Sequence, residues 1–234
     1  GFAAGAQWRE ESYSANRNEL YTQSIDPATG ATIPVDLIFL GGGLPIDESR
    51  DSYAVFAEAN FPLTSSLEAN LAVRYEDLSS DSSIDPKLSL RWQAADWLVL
   101  RASASSAFRE PSLVQVYNQE TSLQGLVDPA SGSSSALFVR VNSQGSTALE
   151  PETSTNFNMG AVFTPTDNLT FRVDYWRFEY EDVITVENAQ GKLNDIPNGA
   201  DIIRDSAVTL SGVNVAYLNA QEVTTDGIDV TADW

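Results

Sequence analysis

The chain has 234 residues and 25.4 kDa, and its 33 Asp and Glu against 13 Lys and Arg give a formal net charge of -20, with no Cys and no His. Without imidazole or thiol there is no Ser-His-Asp triad, no Cys-His pair, no His-ligated zinc and no disulfide framework. A pI near 4.1 argues against nucleic acid, whose phosphates reward Lys and Arg, and no catalytic residue, metal ligand or cofactor site is assigned.

Hydrophobic residues at 42% and aromatics at 10% suit an ordered fold. No stretch approaches the roughly 18 apolar residues of a membrane helix, although a membrane strand needs only every second residue apolar. Residues 1–14 lack the basic start and apolar block of a signal peptide. With Gly1 in first place, this predicts a processed or truncated chain.

In chain order, residues 2–14 give a weak first strand. Tyr53, Val55, Ala57, Ala59 and Phe61 then alternate with Ser52, Glu58 and Asn60, the period that sends successive side chains to opposite faces of a pleated strand. Leu67, Ala69, Leu71, Val73 and Tyr75 oppose Glu68, Asn70, Arg74 and Glu76; Leu88, Leu90 and Trp92 oppose Lys87, Ser89, Arg91 and Gln93. Residues 97–106 are blurred by Ala and Ser, though Leu98 and Leu100 still oppose Arg101 and Ser103. Next come Phe157, Met159, Ala161 and Phe163, then Leu169, Phe171, Val173 and Tyr175, and finally Ile228, Val230, Ala232 and Trp234 against Asp229, Thr231 and Asp233. These make eight predicted strands, with helical signals nearly absent.

The connections alternate in length. Pro62–Ser66, Ala94–Asp96 and Thr164–Asn168 are tight turns, whereas residues 15–50, 107–151 and 182–219 are long and rich in Gly, Ser and Asp, with a shorter link at 78–84. Short turns at one end and long loops at the other belong to outer-membrane barrels, so the predicted fold is all-β, an antiparallel transmembrane β-barrel. Phe61, Trp92, Trp97, Phe163 and Trp234 fall at the short-turn end, where an interfacial aromatic girdle would sit.

Pro111 cannot donate a ladder hydrogen bond, so strand 97–106 is predicted to leave the sheet near Arg109, and Pro151 marks the return after the loop. Gly227, on the polar side of the last strand, is expected to leave lumenal space or allow a bend.

Three segments together resemble the TonB-dependent receptors of Gram-negative outer membranes. Residues 100–117, LRASASSAFREPSLVQVY, are similar to that family's strand ending in Phe-Arg-x-Pro-Ser-Leu. Residues 149–184 resemble its Leu-x-Pro-Glu hairpin, and residues 224–234, TTDGIDVTADW, resemble its Thr-x-Gly-Ile-Asp/Glu strand. On that resemblance Phe108, Arg109, Pro111, Ser112, Leu113, Pro151, Glu152, Gly227, Ile228 and Asp229 are motif positions, read as barrel construction. The resemblance implies an outer-membrane receptor of about 22 strands whose lumen is closed by an N-terminal plug domain. It further implies uptake of a scarce nutrient (a siderophore, vitamin or oligosaccharide) with energy relayed by TonB. The plug and the TonB-contacting box have no counterpart here, so residues 1–234 are expected to be one domain, a partial receptor barrel of about eight strands. The partners implied are outer-membrane lipid and lipopolysaccharide, the receptor's own plug, the TonB complex and the nutrient.

Arg74, Lys87, Arg91, Arg101, Arg172, Glu58, Glu68 and Asp174 would be costly in a dry interior unless paired, and suit a wet lumen. Asp47, Glu48, Asp51, Asp77, Asp81, Glu179, Glu181 and Asp182 lie in loops and strand ends, as a solvated surface or a recruiter of divalent cations between lipopolysaccharide phosphates. Ligand contacts are expected on the long loops. The candidates are Trp8, Tyr21, Arg109, Tyr117, Phe138 and Tyr217, with Tyr13 and Phe39 beside them. Gly41–Gly43 lacks the Lys-Ser/Thr of a phosphate loop, Gly132–Ser135 reads as flexible loop, and Asp81 with Asp85 is a coincidental acidic pair. Two alternatives stand beside the receptor: a complete eight-stranded outer-membrane barrel acting as adhesin or anchor, and a soluble β-sandwich binding carbohydrate.

Overall fold

A computed structural model describes every residue except 19–22, 36–41, 79–80 and 206. All eight predicted strands are present, most of them longer than the alternation marks: β1 (Phe2–Ala15), β5 (Ile46–Pro62), β6 (Leu67–Asp77), β7 (Ser82–Ala95), β8 (Leu98–Arg109), β11 (Glu152–Thr166), β12 (Leu169–Val186) and β14 (Leu210–Asp233). They form one antiparallel wall in the order β1-β5-β6-β7-β8-β11-β12-β14, each pairing with its neighbour. Register keeps the apolar sets together: Val55 faces Tyr75, Leu71 faces Leu88, Leu90 faces Ala102, and Val173 faces Val230. A slip by one residue would turn each apolar row to the polar face.

Among the described residues β1 pairs only with β5, and the lower part of β14 only with β12. The wall is therefore open, which sets aside a closed eight-stranded barrel. Among the described residues no second sheet packs over these eight strands, which sets aside the sandwich.

The long connections carry more order than expected. Two hairpin strands, β2 (Gln23–Ile25) and β3 (Thr32–Pro34), and the short β4 (Gly42–Gly43) stand in the first. The second holds a helix, Leu113–Tyr117, and a hairpin of β9 (Gln119–Val127) and β10 (Ala136–Gln144). The third holds a helix, Ala189–Asp195, and β13 (Ile202–Arg204). β10 runs parallel to the start of β14, pairing Arg140–Gln144 with Gly212–Ala216. These pieces form a cap with its own interior of Leu126, Val139, Val141, Ala189, Leu193, Ile202, Leu210, Val213 and Val215, of which Leu193 and Val213 are fully buried. Helix is scarce, as expected: among the described residues there are two short α-helices, whose caps are written locally. Ser112 and Gln115 form a reciprocal capping box, and Asn188 accepts from the Gly191 N–H.

Candidate functional site

One face of the wall is a continuous apolar surface that none of the described residues covers: Leu71 is 48% exposed, Val73 45%, Phe171 37% and Val173 44%. A patch of this extent is unsuited to water and suited to acyl chains. Phe61, Trp92, Trp97, Phe163 and Trp234 border it at the short-turn end, with the Trp97 ring edge-on to Phe163 at 5.3 Å and Phe163 stacked on Phe171 at 6.3 Å. A second row, which the sequence reading does not identify, borders the loop end: Trp8 opposite Tyr53, with Tyr75 beside them. From Tyr53 to Phe61 is eight strand residues, roughly 26 Å along the strand and about 20 Å once tilted, close to the thickness of an outer-membrane apolar band. On β12 the boundary is marked by a change of polarity: Tyr175 is the last apolar residue on this face, and Arg177 and Glu179 above it form an ion pair.

The opposite face is polar, and several of its charges are paired. Arg101 holds Asp174 through both oxygens, at 3.0 and 2.6 Å; Arg172 pairs with Asp233; Arg74 grips Glu76 at 2.6 Å; and Asn70 donates to Glu58 at 2.7 Å. Glycines make room for this layer. A Cβ on Gly160 would stand 1.9 Å from Asp174 Oδ1, and one on Gly5 would stand 2.4 Å from the Phe56 ring. At Gly227 the expected free space is occupied: a Cβ there would be 2.5 Å from the Trp176 indole, whose Nε1–H donates to Asp229 at 3.0 Å. Trp176 opens an aromatic row of three along β12, with Phe178 5.7 Å away and Tyr180 stacked 6.2 Å beyond it.

At the mouth of this face the Phe-Arg-Glu-Pro-Ser-Leu segment works as a lock. Phe108 is half-buried opposite Thr153 near the end of β8. Arg109 ends β8 and pairs with Glu152, the first residue of β11, whose other oxygen accepts the Ile184 N–H of β12 at 2.7 Å. One carboxylate thus ties three strands, immediately after Pro151. Glu110 is buried beside Arg50, which also bonds Glu11 at 2.7 Å and the Pro111 carbonyl at 2.5 Å. Pro111 and Leu113 are buried, and Ser112 starts the helix. The strand leaves the sheet where expected, but into a capped helix rather than an open loop. A charged hollow of about 480 Å³ lies here, lined by Arg9, Arg50, Arg74 and Arg109 and by Glu11, Glu76, Asp85 and Glu110.

The other candidates separate. Trp8 stands on β1, the expected first strand, on the apolar face, 58% exposed, with its Nε1–H donating to Asp51 at 3.2 Å. Tyr13 lies on β1 opposite Glu48. Tyr117 ends the helix Leu113–Tyr117, Phe138 projects from β10 at 70% exposure above Gly125, and Tyr217 is half-buried on β14 opposite Val186. They do not converge on one point. Tyr21 and Phe39 lie outside the described residues. Ile228 faces outward at 67% exposure.

Two polar contacts organise the cap. Asp128 is buried and accepts from both terminal nitrogens of Arg204 at 2.6 and 2.9 Å; these bonds, stronger than the opposing burial, hold its carboxyl below the ordinary carboxylate range. Asn219 receives the Glu150 N–H at 2.9 Å and donates to the carbonyls of Glu150 and Asp182, at 2.9 and 2.7 Å. Asp182 has φ of 55°, the left-handed turn at which β12 bulges out of register with β14. Among the described residues no group of three or more Asp and Glu is placed to hold a metal ion.

Compared with known proteins, residues 1–234 match the family model for "TonB dependent receptor-like, beta-barrel". A probable TonB-dependent siderophore receptor, PirA of Acinetobacter baumannii, is 30% identical over 138 residues, covering 58% of this chain and 18% of that protein. A heme/hemopexin utilization protein C of Haemophilus influenzae is 24% identical over 200 residues, covering 81% of this chain and 26% of that protein. The ferric enterobactin receptor PfeA of Pseudomonas aeruginosa has a similar fold, with a TM-score of 0.71 at 17% identity, over 99% of this chain and 30% of that one. The chain therefore spans less than a third of the length of these relatives.

Proposed function

The chain belongs to the TonB-dependent receptor β-barrel family, and from that premise we propose that it forms one wall and part of the loop cap of an outer-membrane receptor for energy-coupled uptake of a scarce nutrient. The observation that carries this reading is the two-faced wall: an uncovered apolar face between two aromatic rows, backed by a layer of paired charges that suits a wet lumen. In this reading the apolar face meets lipid, the upper acidic rim meets lipopolysaccharide and its cations, and the polar face meets the receptor's own plug domain. The TonB complex supplies energy through parts of the receptor outside residues 1–234. The relatives' names favour an iron-bearing cargo, a siderophore or heme, within the broader class of nutrients. No enzymatic step is assigned.

The test uses the full-length gene in its own host. Deleting the receptor and deleting TonB should each abolish growth on the same limiting nutrient. Wild-type uptake in the strain lacking TonB overturns the proposal.

A further inference from the structure

Between the β2–β3 hairpin and the sheet of β9, β10 and β14 lies a cavity of about 390 Å³. Its floor carries a hydrogen-bond relay with a fixed direction. The buried Thr121 hydroxyl donates to Asn142 Oδ1 at 2.9 Å, and Asn142 Nδ2 donates to Asn214 Oδ1 at 2.8 Å. With its oxygen committed, Asn214 keeps an NH2 group that has no partner among the described residues, and both Asn142 and Asn214 line the cavity. Gln119, Ser143 and Gln144 line it as well, and none of their side chains has a hydrogen-bond partner among the described residues. The roof is seated by close backbone approach. A Cβ on Gly42 would fall 1.5 Å from the Val35 carbonyl, so the hairpin rests on β4 only because glycine is there.

The cavity wall itself carries Asp26 and Glu120 against Arg140, and the loops around it are more acidic still. Residues 16–45, 78–84, 107–151 and 182–219 hold thirteen Asp and Glu against five Lys and Arg, and three of those bases, Arg109, Lys192 and Arg204, are already in ion pairs. Such a field repels polyanions and leaves neutral or cationic solutes unhindered. We propose that this cavity binds a neutral, hydroxyl- or amide-rich portion of the cargo, with the Asn214 amide donating to a ligand oxygen and Gln119, Ser143 and Gln144 completing the contacts.

The inference rests on the transport reading for its cargo but is tested by binding alone. Purified full-length receptor in detergent is titrated with maltose, with an uncharged ferric trihydroxamate, and with a polyanionic ferric triscatecholate. One of the two neutral probes should bind, and which of them does separates a sugar source from an amide source. Asn214→Asp, which turns the donor into an anion, and Gly42→Val, which unseats the roof, should each weaken that binding at least tenfold. If either fails to fold by heat-modifiable mobility, Gln144→Ala carries the test with the same sign. The proposal is overturned if neither neutral probe binds, if the triscatecholate alone binds, or if the folded variants bind like wild type. Intact binding together with loss of TonB-dependent uptake would overturn the transport reading and leave the cavity standing.

Discussion

Glu152 and Asp174 both sit in ion pairs, yet they differ in what they hold together. Asp174 meets Arg101 at a wet face, with 46% of the arginine side chain exposed, and exposed pairs of this kind contribute about 0.2–1 kcal/mol. Asp174→Asn should therefore change the urea midpoint of refolded receptor little. Gly160→Val should cost several times more, about 2–3 kcal/mol, because its side chain has to displace both members of the pair. Equal effects would show that the glycine is not what gives the pair its place. Asp128 is a different case because it is buried. Its pKa is lower folded than unfolded, so its stabilisation is complete above the unfolded carboxylate value and is lost as pH falls through the folded one. Amide hydrogen exchange in residues 119–144 should be protected alike from pH 7 to about pH 5 and lose protection below about pH 4. Asp128→Asn should flatten that limb and lower protection at neutral pH by about 3 kcal/mol, since it strands the Arg204 charge.

At the scale of elements, the short helix Leu113–Tyr117 hangs on its cap. Ser112→Ala should cost about 1 kcal/mol, read as faster proteolysis within residues 107–118, while the strands of the wall keep their exchange protection. The wall was legible in the sequence because one of its faces meets an apolar medium and the other a polar one, which writes a period of two. β12 shows where legibility stops. From Tyr175 to Tyr180 aromatic and charged residues exchange faces as the strand rises past the apolar surface, so Trp176, Phe178 and Tyr180 break the alternation although the strand continues to Val186. The cap was not legible for a related reason. Its strands are short, Val139, Val141, Val213 and Val215 are shielded by other parts of the cap, and β10 finds its parallel partner about 70 residues away. The Ser112–Gln115 box and the Asn188 cap were written locally, but they stood among Gly, Ser and Asp that read as loop. Of the candidate ligand contacts, Trp8 lies in the weakly alternating strand expected at residues 2–14, and its membership of the outward row appears only through pairing with Tyr53.

For the whole molecule, the two faces of the wall should respond oppositely to the same change. Val73→Arg puts a charge at mid-height on the uncovered face and should cost about 2–4 kcal/mol of stability in lipid vesicles. Ser89→Arg, on the polar face of β7, should cost under 1 kcal/mol there. If both substitutions cost alike, the apolar face does not meet lipid. Among the described residues the one sizeable cluster of buried apolar side chains lies in the cap. The wall's cohesion is thus borrowed from its solvent while the cap's is home-made. Changing detergent chain length should move the melting of one without the other, and a receptor stripped of amphiphile would keep its crown after losing its staves.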